Sequence, residues 1–219
     1  MARRARVLRD QQGSEQPQAL RRHLVRVTQR LLAAHGLALT TRAIAREAEV
    51  SDGVLYNYFA DKDELVVAAL AEQMADLSVR FQAAVPVAGR QDLRAGLALL
   101  VRLCVDFQAE ALPLVSGLIT RPDLFHRLIA QVHTGDQAAQ LVWSRIVDYL
   151  AAEQELGTIA AEVDPHTVTH VVFGAGQLQV LAGMVSGDLG PVEAAHQART
   201  LDDAALAGLV DLLVRACRP

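Results

Sequence analysis

The sequence predicts an all-α protein with a small three-helix head and a larger helical-bundle body. Apolar residues recur every three or four positions along nearly the whole chain, beginning with Leu20, Leu24, Val27, Leu31 and Leu32. That spacing places them on one face of a helix. No stretch alternates apolar and polar residues with enrichment in Val, Ile and Thr, and no repeat or low-complexity tract occurs. With 52% of its 219 residues hydrophobic, the chain has ample apolar surface for a core, which excludes an intrinsically disordered protein.

Residues 1–16 are polar and Arg-rich without a period and read as a disordered basic arm. The first helix starts at Pro17 and stops at Gly36, a residue suited to a C-terminal cap. Thr40 is the N-cap candidate of a short second helix through Ala48, and Ser51 to Phe59 hold a short third. Asp61, with Glu64 three residues on, forms a capping box for a fourth helix that runs to about Val85 and stops at Pro86. Further helices are expected over 91–108, 109–120, 122–133, 136–155, 164–186 and 201–217, with Pro113 and Pro122 making the third quarter irregular. Asp164 and Pro165 suit the N-cap and first position of their helix, Thr200 suits the start of the last, and 187–200 reads as a loop. The expected division is a head over 17–60 and a body over 61–219.

The net charge of −4 hides an asymmetry. Residues 1–60 carry ten Arg and no Lys against five acids, a balance of +5, whereas residues 61–219 carry 11 bases and 20 acids, a balance of −9. A basic head on an acidic body suits binding of a polyanion by the head alone. Cys104 and Cys217 are two distant thiols, read as single thiols in a reducing compartment. No apolar run is long enough to span a bilayer and no apolar segment follows the basic N-terminus as in a signal peptide, so a cytoplasmic protein is expected.

The head carries the most specific signal. Thr40 to Ala48 and Ser51 to Phe59 read as helix, tight turn and second short helix, a helix-turn-helix whose second helix would enter the DNA major groove. Three of the nine aromatic residues fall within positions 56–59. Ile44, Ala45, Ala48, Val54, Leu55 and Phe59 are expected in the core of the head. The polar set left over is Thr40, Thr41 and Arg42 at one helix start and Ser51, Asp52, Gly53, Tyr56 and Asn57 at the next. Helix starts offer N–H groups to phosphates, a phenol can bond a phosphate or lie on a thymine methyl, and an Asn amide can reach a base edge.

These residues, in the pattern Thr40-Thr41-x-x-Ile44-Ala45-x-x-Ala48-x-Val50-Ser51-x-Gly53-x-Leu55-Tyr56-x-Tyr58-Phe59-x-x-Lys62-x-x-Leu65, resemble the TetR family of bacterial transcriptional regulators. The resemblance covers about residues 17–65, and the rest agrees in length and helical character. It implies a homodimer that binds a palindromic double-stranded DNA operator and lets go when a small molecule enters the body. It also places Thr40, Thr41, Arg42, Ser51, Gly53, Tyr56, Tyr58 and Lys62 at DNA-contact positions. One departure is Glu49, where the family usually has Gly in the turn. A left-handed residue there would cost on the order of 1 kcal/mol. Asp52 either caps the second helix or accepts from a cytosine amine.

The body is expected to bind a ligand and to dimerise. Val168, Val171, Val172, Ala175, Leu178 and Ala182 form a stripe on the helix near 164–186, and Leu206, Leu209, Val210 and Leu213 form another on the last helix. Two such helices from each protomer would make a four-helix interface. Gly174, Gly176 and Gly183 keep parts of the first stripe thin. Candidate pocket residues are Leu103, Phe107, Leu118, Phe125, Trp143, Ile146, Tyr149, Phe173 and Gln177, together with Leu114, Leu128 and Ile129. Sparse aromatics and few polar groups point to an apolar or amphipathic effector. His166 and His170 share a helix face, but no third ligand lies near in sequence, so no metal and no cofactor is expected. Catalytic signatures such as GxSxG, HExxH or a phosphate-binding Gly loop are missing. A non-enzymatic, ligand-responsive repressor is therefore expected, the alternatives being a DNA-binding activator or architectural protein without effector and, below them, an all-α enzyme.

Overall fold

The structure is a computed structural model. It describes the backbone of residues 2–134, 138–186 and 203–219, and the side chains of residues 17–131, 141–183 and 204–219. Among the described residues the only regular elements are helices: α1 (Ala2–His35), α2 (Thr41–Glu47), α3 (Asp52–Tyr56), α4 (Lys62–Ala84), α5 (Leu93–Ser116), α6 (Pro122–Thr134), α7 (Ala138–Glu155), α8 (Pro165–Ser186) and α9 (Asp203–Cys217), with short 3-10 turns at Gly36–Ala38 and Gly117–Thr120. The all-α expectation holds. The expected loop at 187–200 and the cap at Thr200 lie outside the described residues.

Local sequence signals account for most helix ends. Gly36 takes a positive φ of 56° directly after α1, the left-handed conformation that ends helices and that glycine adopts without steric cost. The Thr40 hydroxyl accepts from the Ala43 N–H at 3.1 Å. Asp61 accepts from the Glu64 N–H at 2.6 Å, and Glu64 reaches back to the Ala60 N–H at 2.6 Å, which completes the capping box. Asp164 accepts from the N–H groups of His166 and Thr167 at 3.1 and 3.2 Å.

Two expectations need correction. The helix expected to start at Pro17 begins at Ala2, with Pro17 inside it. Ala, Arg, Leu and Gln, which fill much of 2–16, have high helix propensity even without an apolar stripe. The break expected near residue 109 is absent, because α5 runs unbroken through Pro113 to Ser116. Pro113 removes a donor only in the closing turn of a long, well-packed helix, where little backbone pairing remains to be lost.

The chain forms two compact units: Met1–Gln73 with Thr120–Gln131, and Met74–Ile119 with Val132–Pro219. The first holds α1 to α3, the start of α4 and most of α6, so it reaches past the boundary expected at residue 60. Its core contains Leu24, Val25, Val27, Ile44, Leu55, Phe59 and Leu65. The second unit is built around α5, against which both α8 and α9 pack. Its core includes Phe81, Leu97, Leu100, Cys104, Ile146, Leu150, Val172 and Val210. At Gly176 the backbone of α8 comes so close to α5 that a Cβ would lie 3.3 Å from the Val105 nitrogen. That glycine thins α8 toward its own protomer's core.

Candidate functional site

The head presents one polar face on an apolar scaffold. Ile44 and Ala45 of α2 are buried, as are Ala48 and, from α3, Leu55 and, just after it, Phe59. Phe59 plugs the base of the head, and the Arg21 guanidinium from α1 lies 5.0 Å from its ring centre, a cation–π contact. With these residues inside, Ser51, Asp52, Gly53, Tyr56 and Asn57 are exposed, as are Thr40 and Arg42, while Thr41, Val54 and Tyr58 are half-buried. Tyr56 keeps 56% of its surface in solvent although the preceding residue, Leu55, is buried. Nothing inside the head holds it there.

The turn between α2 and α3 is closed by two backbone bonds, from the Val50 N–H to the Ala45 carbonyl at 2.9 Å and from the Glu49 N–H to the Arg46 carbonyl at 3.2 Å. This paired closure requires a left-handed residue at Glu49, and Glu49 has φ 57°, the one positive φ of a non-glycine residue described. The strain expected from the sequence is therefore present in the backbone.

Lys62, at the start of α4, is half-buried and donates from Nζ to the Leu39 carbonyl at 3.3 Å. It ties α4 to the residue just before the Thr40 cap. Sequence reasoning missed a neighbouring cluster. Arg121 bonds Asp63 of α4 at 2.8 Å and Asp123 of α6 at 2.9 and 3.1 Å, and Arg127 pairs with Asp61 at 3.7 Å. The hydrogen bond from Arg121 holds the Asp123 carboxyl below the usual carboxylate range. No local motif joins residues 58 positions apart, so only the fold shows this contact.

Residues 24–69 match the family model described as "Bacterial regulatory proteins, tetR family". The head is therefore similar to the matched segment of TetR-family regulatory proteins. The fold of the whole chain agrees. A Mesorhizobium loti protein described as a TetR-family transcriptional regulator superposes with a TM-score of 0.66 at 15% identity, covering 90% of this chain and 97% of that one. GusR of Salmonella enterica gives 0.60 at 16% identity over 91% and 95%. FadR of Bacillus subtilis, solved with stearoyl-CoA, gives 0.56 at 17% identity over 90% and 98%. No curated protein matches.

The body of this TetR-like chain scatters the pocket residues expected from sequence. Leu103 and Phe107 of α5 line a cavity of about 180 Å³ together with Leu77, Arg80, Phe81, Ala84, Asp106 and Glu110. Phe81 meets Phe107 edge to face at 5.2 Å, and Arg80 bonds Glu110 at 2.6 Å. The α4 side of this cavity, Leu77, Arg80, Phe81 and Ala84, was not expected, because which face of α4 meets α5 is decided only in the folded chain. Leu118, Ile146 and Tyr149 are instead fully packed core, Gln177 is exposed, and Phe125 belongs to the unit that holds the head. Phe173 and Trp143 are half-buried and continue the ring contacts, Phe107 to Phe173 at 6.1 Å and Phe173 to Trp143 at 6.0 Å. Of the remaining candidates, Leu114 is half-buried, Leu128 is buried and Ile129 is exposed.

The expected dimer stripes split. Val168, Val172, Leu206, Val210 and Leu213 lie in the protomer's own core, and Leu209 packs against it. They are buried within the protomer, except Leu209, which is half-buried. Val171, Leu178, Leu181 and Ala182 of α8 are exposed, with Ala175 half-buried, and Leu212 of α9 is exposed as well. Periodicity alone thus mixed residues of the inner and outer faces of α8, and on α9 it took residues that pack inward.

The His166 and His170 pair is occupied locally: His170 Nδ1 lies 2.8 Å from the His166 carbonyl, and its ring meets Trp143 edge to face at 4.4 Å. Among the described residues no group of three metal-ligating side chains occurs. Burial pushes the Cys104 thiol up to about 12 and the Cys217 thiol upward as well. Both are poor nucleophiles at neutral pH. Among the described residues no helix is long and apolar enough to cross a membrane.

Proposed function

We propose that this protein is a ligand-responsive transcriptional repressor. It binds a palindromic operator as a homodimer through α3 and is released by a small-molecule effector bound in the body. The observation that carries the reading is the exposed polar face of the head, Thr40, Arg42, Ser51, Gly53, Tyr56 and Asn57 on a buried apolar scaffold, within a segment that matches the TetR-family head. A side chain as large as Tyr56, left 56% exposed at the end of α3, suits contact with a phosphate or a thymine methyl. Thr41, Tyr58 and Lys62 support the same face from its margins.

A two-fold operator needs two heads at fixed spacing, and the exposed apolar residues Val171, Leu178, Leu181, Ala182 and Leu212 supply a face for an isologous contact. The effector site is the cavity of about 180 Å³ lined by Leu77, Phe81, Leu103 and Phe107. Its apolar floor and charged rim favour an apolar or amphipathic molecule. Release is a population shift: the effector binds better to a body conformation in which the two heads no longer match adjacent major grooves.

The test is selection of genomic DNA fragments on the full chain, followed by footprinting. A protected near-palindrome that is lost on adding a small apolar compound supports the reading. Folded protein that enriches no fragment at low salt overturns it.

A further inference from the structure

We propose that Asp52 is a specificity-determining residue that reads a C·G base pair in each operator half-site; this rests on the DNA-reading role of α3 proposed above. Three acids stand in the described part of the head, Glu47, Glu49 and Asp52. Glu47 is accounted for by Arg30, 3.8 Å away, and Glu49 sits in the turn, where its backbone closes α2. Asp52 is exposed, and its carboxylate has no hydrogen-bond or ion-pair partner among the described residues. A bare carboxylate beside phosphates would only repel them. Facing base edges, its best partner is the N4 amine of cytosine, the contact that acids make there, because the adenine N6 donor stands beside the N7 acceptor, which repels a carboxylate.

The geometry sets Asp52 toward the bases. It is the first residue of α3, and the opening residues of a recognition helix are the ones that meet base edges in the major groove. Asp52 and Tyr56 stand at i and i+4, so they share one flank of α3, and both are exposed while Leu55, about 100° round the helix from Tyr56, is buried. The following residue is Gly53, and a Cβ built there would meet only the Ser51 hydroxyl, at 4.0 Å. The backbone beside Asp52 is therefore open to close approach by a ligand. A phenol and a carboxylate on one flank give a combined reading, with Tyr56 on the backbone or a thymine methyl and Asp52 on a cytosine next to it.

The experiment selects a randomised duplex library on the full chain and on two variants, Asp52→Asn and Asp52→Ala, at one fixed salt concentration. Thermal unfolding of each confirms that the head is folded. The wild type is expected to enrich C·G at one position of each half-site by about tenfold over the other pairs. Asp52→Asn is expected to switch that position toward A·T, because an amide pairs with adenine N6 and N7. Asp52→Ala is expected to lose the preference there and nowhere else, with overall affinity unchanged or higher. Identical base preferences for all three proteins would overturn the proposal while leaving the repressor reading intact. So would a folded Asp52→Ala that no longer binds any sequence. A wild type that enriches nothing would remove the repressor reading and this proposal with it.

Discussion

Replacing Glu49 with glycine is expected to stabilise the head and, separately, to tighten DNA binding. Glu49 is held at φ 57° by the two backbone bonds that close α2, so the side chain has no freedom to relax the strain. A left-handed conformation costs a residue with a Cβ about 1–2 kcal/mol. Glycine avoids that cost but has a more disordered unfolded chain, which takes back about 0.4–1 kcal/mol. The net gain is about 0.5–1 kcal/mol, equivalent to a rise of about 1–4 °C in the thermal midpoint of a chain this size. Glu49 is exposed beside the proposed DNA face, so the same change also removes a negative charge there. Glu49→Gln separates the two effects, since it removes the charge and keeps the Cβ. Urea or thermal unfolding should show Glu49→Gly more stable than Glu49→Gln, which in turn matches the wild type. Both variants should bind operator more tightly at low salt, with the gain shrinking as salt rises. If Glu49→Gly is no more stable than Glu49→Gln, or Glu49→Ala equals Glu49→Gly, the argument from backbone strain is refuted.

Other perturbations test the remaining contacts. A Cβ at Gly96 would fall well inside contact distance of the Tyr149 hydroxyl, which is buried without a hydrogen-bond partner among the described residues; Gly96→Ala should cost about 1–3 kcal/mol in urea unfolding, and an unchanged midpoint would show that Tyr149 moves freely. Leu178→Glu, at a site 70% exposed on α8, should leave helicity intact and convert the proposed dimer to monomer in sedimentation velocity, and an unchanged sedimentation coefficient would place the interface elsewhere. Arg121→Met should weaken the head at neutral pH. Because Arg121 lowers the pKa of Asp123 in the folded state, the stability it confers is present above the ordinary carboxylate range and lost as pH falls through the depressed value. The difference between wild type and Arg121→Met should therefore be constant near neutrality and shrink in strong acid, and a difference independent of pH would exclude this ion pair as its source.

Most of the helices, their caps and the apolar scaffold of the head are legible along the chain, the start of α1 and the unbroken course of α5 excepted. Gly36, Thr40, the Asp61 and Glu64 box, and Asp164 act within one turn of their own position, so the chain need not be folded in thought to see them. The same locality made the turn at Glu49 legible, and the short head, with its helices adjacent in sequence, left few ways to pack Leu55 and Phe59 inside. Only the tertiary structure decided which apolar residues of α8 and α9 turn inward, because both helices also carry apolar residues that stay exposed and α5 packs against one side of each. It also decided that Phe81 and Phe107 come together across α4 and α5 while Ile146 and Tyr149 fill the core, and that Arg121 joins Asp63 across 58 positions. Such contacts depend on which surfaces meet after the chain has folded back on itself, and the spacing of residues along one helix carries no record of that choice.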